Sequence, residues 1–124
     1  MNSSGRIDAV SLYERGGEHD TAGREAQAIP LYEQALDAGL AGELRARCLL
    51  QLGSSLRNVG RTAEAVALLE DARTEFPQFR PLRAFLALAL HSAGRDEDAL
   101  RELLLTIADE GEYERSLRAY ADEL

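Results

Sequence analysis

Residues 49–77 read LLQLGSSLRNVGRTAEAVALLEDARTEFP, and the spacing within them decides the fold. Leu49, Leu50, Leu52, Leu56 and Val59 recur at short helical intervals and stop at Gly60, the pattern of an amphipathic helix over 44–59 with a glycine at its end. A second helix follows over 62–76, with Thr62 placed to cap it and Ala65, Val66, Leu68, Leu69 and Ala72 on its apolar side. Pro77 ends it, because proline supplies no amide and restricts the residue before it. The small residues Gly53 and Ala65 fall where two antiparallel helices would cross. Their axes can then approach closely, with Leu69 filling the space beside them.

The arrangement occurs three times. The runs Gly16-Gly23-Ala28-Tyr32-Ala35, Gly53-Gly60-Ala65-Leu69-Ala72 and Ala87-Gly94-Ala99-Leu103-Thr106 share one set of offsets, the first two 37 residues apart and the last two 34. A period of that size marks stacked helix pairs, each of which leaves one face uncovered until the next pair stacks on it. Upstream, helices are predicted over 8–19 and 23–37. The hinge 38–42 (AGLAG) takes up the extra residues of the first period. Pro30 inside the second helix predicts a kink or a shortened first turn, and Gly16-Gly17 predicts a bend that loosens the first helix. Downstream, a helix over 81–93 starts with Pro81 in its first turn, and one over 96–109 starts on the acids Asp96-Glu97-Asp98. After Gly111, Leu117, Tyr120, Ala121 and Leu124 repeat the spacing of Leu49, Leu52, Gly53 and Leu56, so the chain ends on half a repeat. That lone helix either covers the last pair or leaves an apolar edge open to a second copy of the chain.

The expected architecture is therefore all-α, an antiparallel helix-pair solenoid of about seven helices forming a single domain over 1–124. Its repeats fall at about 9–42, 46–79 and 80–113, with a capping helix at about 114–124.

The pattern resembles the tetratricopeptide repeat across nearly the whole chain. The middle copy matches best, with Leu49, Leu52, Gly53, Leu56, Gly60, Ala65, Leu69, Ala72 and Pro77 each where that family's signature wants their type. The first copy departs at Arg15 and His19, where large apolar residues belong, and the third at Arg83 and Thr106. The segments EHDTAGREAQAIPLYEQAL, LLQLGSSLRNVGR and FLALALHSAGR also resemble a compact bacterial subfamily of about this length, whose members act as interaction proteins.

The resemblance implies that the first helix of each pair lines a concave groove and the second forms the convex outside. Charge divides along that line. Residues 44–63 hold Arg45, Arg47, Arg57 and Arg61 with no acid, and residues 78–95 hold Arg80, Arg83 and Arg95, again with none. The outer helices invert this, with Glu64, Glu70, Asp71 and Glu75 against Arg73, then Asp96, Glu97, Asp98, Glu102, Asp109, Glu110 and Glu112 against Arg101. Helical spacing puts Val10, Tyr13, Gly17 and Asp20, then Arg47, Leu50, Ser54, Arg57 and Asn58, then Ala84, Leu88 and His91 toward the groove. Arginine forks hold carboxylates bidentately, and Tyr13, Leu50 and Leu88 could seat an apolar side chain beside them. Two readings stay open. Either the groove holds an acidic or C-terminal segment of another protein, or the arginines pair with Asp20 and with acids of neighbouring helices. The lysine and asparagine clamp that the family uses on a terminal carboxylate is not reproduced, since the chain has no lysine and Gly17, Ser54 and Leu88 stand where asparagines would be needed.

Composition narrows the classes further. A net charge of -8 opposes long-range attraction to phosphate, so nucleic acid is not an expected partner. No apolar stretch approaches the ~18 residues of a membrane span, and MNSSGR at 1–6 lacks a signal-peptide core; a cytoplasmic protein is expected. Cys48 is the lone cysteine and reads as a small buried hydrophobe, with no disulfide available to it. His19 and the adjacent Asp20 point different ways and His91 lies in another repeat, so neither a metal site nor an acid–base pair is expected. No nucleophile elbow, phosphate loop or metal motif occurs, so no catalytic residue and no cofactor are expected. The leading reading is a non-catalytic adaptor for another protein, and the alternative is a self-assembling homodimer with no separate peptide ligand.

Overall fold

The computed structural model describes residues 8–108 and 113–124. The acids at 109, 110 and 112, Gly111, and the stretch 1–6 on which sequence readings were made lie outside them. The described residues form seven helices and no strand: α1 (Ala9–Thr21), α2 (Glu25–Asp37), α3 (Gly42–Asn58), α4 (Thr62–Glu75), α5 (Pro81–Ser92), α6 (Asp96–Ala108) and α7 (Glu114–Asp122). The helices pack as the antiparallel pairs α1/α2, α3/α4 and α5/α6, and each pair stacks on the next through α2 against α3 and α4 against α5. The all-α helix-pair solenoid read from the period is the architecture observed.

One turn is used three times. Gly23, Gly60 and Gly94 have φ of 79°, 88° and 77°, a left-handed conformation that only a residue without Cβ adopts cheaply. The arginine after each glycine donates its amide to a carbonyl five residues back, Arg24 to His19 at 2.8 Å, Arg61 to Leu56 at 2.8 Å and Arg95 to Leu90 at 2.9 Å. Gly23 therefore belongs to the turn and α2 starts at Glu25, two residues later than periodicity alone suggested. Thr62 is the first residue of α4 rather than its cap; Arg61 stands at the cap position and makes no side-chain capping bond to the helix backbone.

Gly16 is not a bend. It is buried in an unbroken α1, and a Cβ there would lie 2.6 Å from the Tyr32 ring. Gly53 repeats the arrangement, with Leu69 2.5 Å from the same construction. Both glycines let the two helices of a pair close on each other, whereas Gly17 has nothing within 4 Å. Pro30 does not shorten the first turn of α2, which runs from Glu25 through it. The hydrogen bond it forfeits would have gone to the carbonyl of Ala26, an exposed residue.

Between repeats, one face of each first helix is buried against the pair before it: Cys48, Leu52 and Ser55 of α3, and Leu82, Leu86 and Ala89 of α5. The Cys48 thiol, 3.6 Å from the Tyr32 carbonyl, shows which way that face points. Burial pushes this thiol up to about 12, so it is protonated and inert at neutral pH. In α1 the equivalents are Ser11, Arg15 and Glu18, all exposed, so Arg15 stands in solvent among the described residues rather than against a preceding pair, as its departure from the apolar pattern requires. His19 is held in the same end turn by a 2.9 Å bond from Arg24.

The last helix is seated differently. α7 packs against α6, as a cap should, but not against α5. Its equivalents of the stacking face, Ser116, Tyr120 and Glu123, are all exposed. It docks instead through Ala121, which is fully buried and whose carbonyl accepts a bond from Arg101 at 3.1 Å.

Candidate functional site

The arginines of α3 and the turn after it divide into two groups. Three have carboxylate partners within the fold. Arg45 holds Glu75 of α4 bidentately at 2.7 and 3.3 Å, Arg47 holds Glu43 one turn back at 2.7 Å, and Arg61 forks onto Glu64 at 2.7 Å. The Arg61 guanidinium holds the Glu64 carboxyl below the ordinary carboxylate range. Arg57 is the exception. Its Nε donates to the Ser92 hydroxyl of α5 at 2.8 Å and its Nη1 to the Asn58 side-chain oxygen at 3.3 Å. Among the described residues it has no carboxylate partner. Asn58 in turn donates to Glu25 of α2 at 3.3 Å, so a polar chain runs from α2 of the first pair through α3 to α5 of the third.

The other candidates fall into separate places. Tyr13 is half-buried, its ring tilted on Tyr32 with centroids 6.1 Å apart. Asp20 accepts the Tyr32 hydroxyl at 2.9 Å; burial, with that carboxylate beside it, drives the phenol well above its usual range. Those two side chains tie α1 to α2, and no arginine reaches Asp20 among the described residues. Arg47, Ser54 and Asn58 are exposed or half-exposed on α3, with Leu50 half-buried beside them. Glu14, Glu18 and Asp20 line a depression with Gly17 and Gln51, an acidic patch on α1 beside the arginines of α3. Leu88 and His91 lie apart from both, in an apolar depression with Leu100 and Leu103 of α6. His91 pairs with Asp96 at 2.7 Å.

Sequence reasoning did not single out Ser92 or Glu25 as partners of Arg57 and Asn58, and no spacing rule links residues 35 and 33 apart in neighbouring pairs. It also passed over Leu100, whose signal was available: it stands 34 residues after Val66.

Two acids outside this group are tied into the fold. Glu102 is buried and held by Arg73 across α4 and α6. Asp98 sits between Arg95 at 2.9 Å and Arg101 at 2.8 Å, and these two guanidiniums keep its carboxyl below the usual range. Among the described residues, no three His, Cys, Asp or Glu side chains converge to hold a metal ion, and no helix is long and apolar enough to cross a membrane.

The family model for the tetratrico peptide repeat matches residues 9–124, and the chain belongs to that family. No curated protein matches it.

Proposed function

We propose that this tetratricopeptide repeat protein is a non-catalytic adaptor whose inner side holds an acidic or carboxy-terminal segment of another protein, with Arg57 as the anchor. The family supports an interaction or scaffold role. The observation that carries the finer reading is the contrast among the arginines: Arg45, Arg47 and Arg61 are spent on carboxylates of the fold, while Arg57 is held in place by a hydroxyl and an amide. Neutral partners orient a guanidinium without cancelling its charge, which leaves it able to take a carboxylate from outside. Arg47 adds a second cation at modest cost, because an exposed i,i+4 pair such as Arg47–Glu43 is worth only about 0.3–0.5 kcal/mol. Ser54 and Asn58 offer hydrogen bonds beside these charges, and Leu50 an apolar contact.

The test is a selection from a displayed library of random C-terminal segments. Enrichment of sequences carrying Asp, Glu or a required free carboxylate is expected, and Arg57→Glu should weaken the selected peptides about tenfold to a hundredfold, as expected for losing a hydrogen bond to a charged group. Peptides without acidic preference, or equal binding by Arg57→Glu, would overturn the reading.

A further inference from the structure

The face on which a fourth pair would stack is complete in the third repeat and lies open. In the first two repeats the corresponding positions, Ile29 and Tyr32, then Val66 and Leu69, are buried. In the third, Leu100 is 47% exposed and Leu103 40%; Leu88 stands beside them, at a position that is half-exposed in the first two repeats as well. With Ala84, His91 and Asp96 they line a depression of about 510 Å³ between α5 and α6. α7 does not enter it, since α7 packs on α6 alone and presents Ser116, Tyr120 and Glu123 to solvent.

We infer that this depression receives one amphipathic helix of a partner protein, with apolar or small residues at positions i, i+4 and i+7 and a basic last turn. The fold itself supplies the template. Cys48, Leu52 and Ser55 of α3 and Leu82, Leu86 and Ala89 of α5 have that spacing, and each is buried against the preceding pair. The charge requirement comes from the rim. In the first repeat the acid at the start of the second helix, Glu25, is met by Asn58 from the last turn of the covering helix. The third repeat has Asp96 at the equivalent position, followed by Glu97, and the carboxyl-terminal end of an incoming helix carries partial negative charge of its own. A lysine or arginine in its last turn would satisfy both. Asp96 now pairs with His91, but both side chains are more than two-thirds exposed, so exchanging that partner costs little.

A second copy of the chain fits less well. Two such depressions meeting face to face would bring Asp96 and Glu97 of each against the other. The opposite end of the array, Ser11, Arg15 and Glu18 on α1, is polar and carries nothing apolar to insert. A net charge of -8 adds general repulsion between copies. α7 of a second copy would offer Ser116, Tyr120 and Glu123 at the stacking positions, a single aromatic ring flanked by a hydroxyl and an acid.

The probe is a synthetic labelled peptide of residues 80–95 (RPLRAFLALALHSAGR), the helix that the fold places on the equivalent face of the second repeat. Titrated by anisotropy against the full chain, it should bind saturably at one to one. Leu100→Asp, at an exposed position and with its fold checked by far-ultraviolet dichroism, should weaken binding at least tenfold. Asp96→Lys should weaken it several-fold, and raised salt should do the same to the unaltered protein. Arg57→Glu should leave this binding unchanged, which separates it from the inner-side peptide reading. Absence of saturable binding, or binding indifferent to Leu100→Asp, overturns the inference. So does a concentration-dependent dimer of the unaltered chain that Leu100→Asp abolishes, which would make a second copy the occupant.

Discussion

Leu69 and Leu103 occupy the same place in successive repeats, each beside the small residue where its pair of helices crosses. Leu69 has no exposed surface and Leu103 is 40% exposed. Val66 and Leu100 differ in the same way, at 6% and 47%. Residue type is not what separates them, since all four are aliphatic and stand at matching positions 34 residues apart. The second repeat is covered by α5, while the third is approached by α7 only from the side of α6. A repeat thus dictates which residues point toward the next pair, and the next pair decides whether they are buried. The third repeat differs in a further respect: Ala87 brings a methyl group to the place where Gly53 has none, in a position where the glycine lets Leu69 approach closely.

The sharpest way to break the comparison is to truncate both leucines. Leu69→Ala should cost about 2–5 kcal/mol, the range for a fully buried leucine whose site cannot collapse. Leu103→Ala should cost about 1 kcal/mol or less, because much of its side chain already meets water. Urea unfolding of the two variants measures the difference; equal losses would mean that the third repeat is covered after all.

A smaller effect tests the crossing glycines. Gly16→Ala sets a methyl against the buried Tyr32 ring, which Asp20 also holds, and the overpacking cost of about 1–3 kcal/mol should exceed what alanine's helix propensity returns. Gly17→Ala, next in sequence and with nothing within 4 Å, should stabilise by about 0.5–1 kcal/mol. Thermal unfolding should therefore move in opposite directions for neighbouring residues, and a common sign would return Gly16 to the status of a bend.

Most of the architecture was legible from periodicity, because the offsets of Gly53, Ala65 and Leu69 encode a crossing geometry rather than a local propensity. The readings that needed correction were local. Gly16-Gly17 looked like a flexible pair because glycine lowers helix propensity, but packing against Tyr32 outweighs that preference. Thr62 has the chemistry of a cap, yet the shared Gly-Arg turn puts Arg61 there. The contacts of the arginines were not legible as a network. Arg47 and Arg61 take acids three or four residues away, which spacing can show, but the partners of Arg45 and Arg57, Glu75 and Ser92, lie 30 and 35 residues away and depend on how neighbouring helices pack. The open end was hidden for a similar reason. Leu117, Tyr120, Ala121 and Leu124 continue the repeat in register, and nothing in that register reveals that α7 docks through Ala121 instead of Ser116, Tyr120 and Glu123.

The claim that the third repeat carries an open stacking face can be measured with a single introduced thiol. Cys48 is fully buried and its thiol is pushed up to about 12, so the folded chain is silent to a thiol reagent at neutral pH. Against that background, Leu100→Cys and Val66→Cys report the same position in the third and second repeats. The account expects Leu100→Cys to label in the native state at least about a hundredfold faster than Val66→Cys, whose thiol is reached only when the structure opens locally. Rates within a few-fold of each other would contradict it, because they would show the last repeat to be covered as the second is.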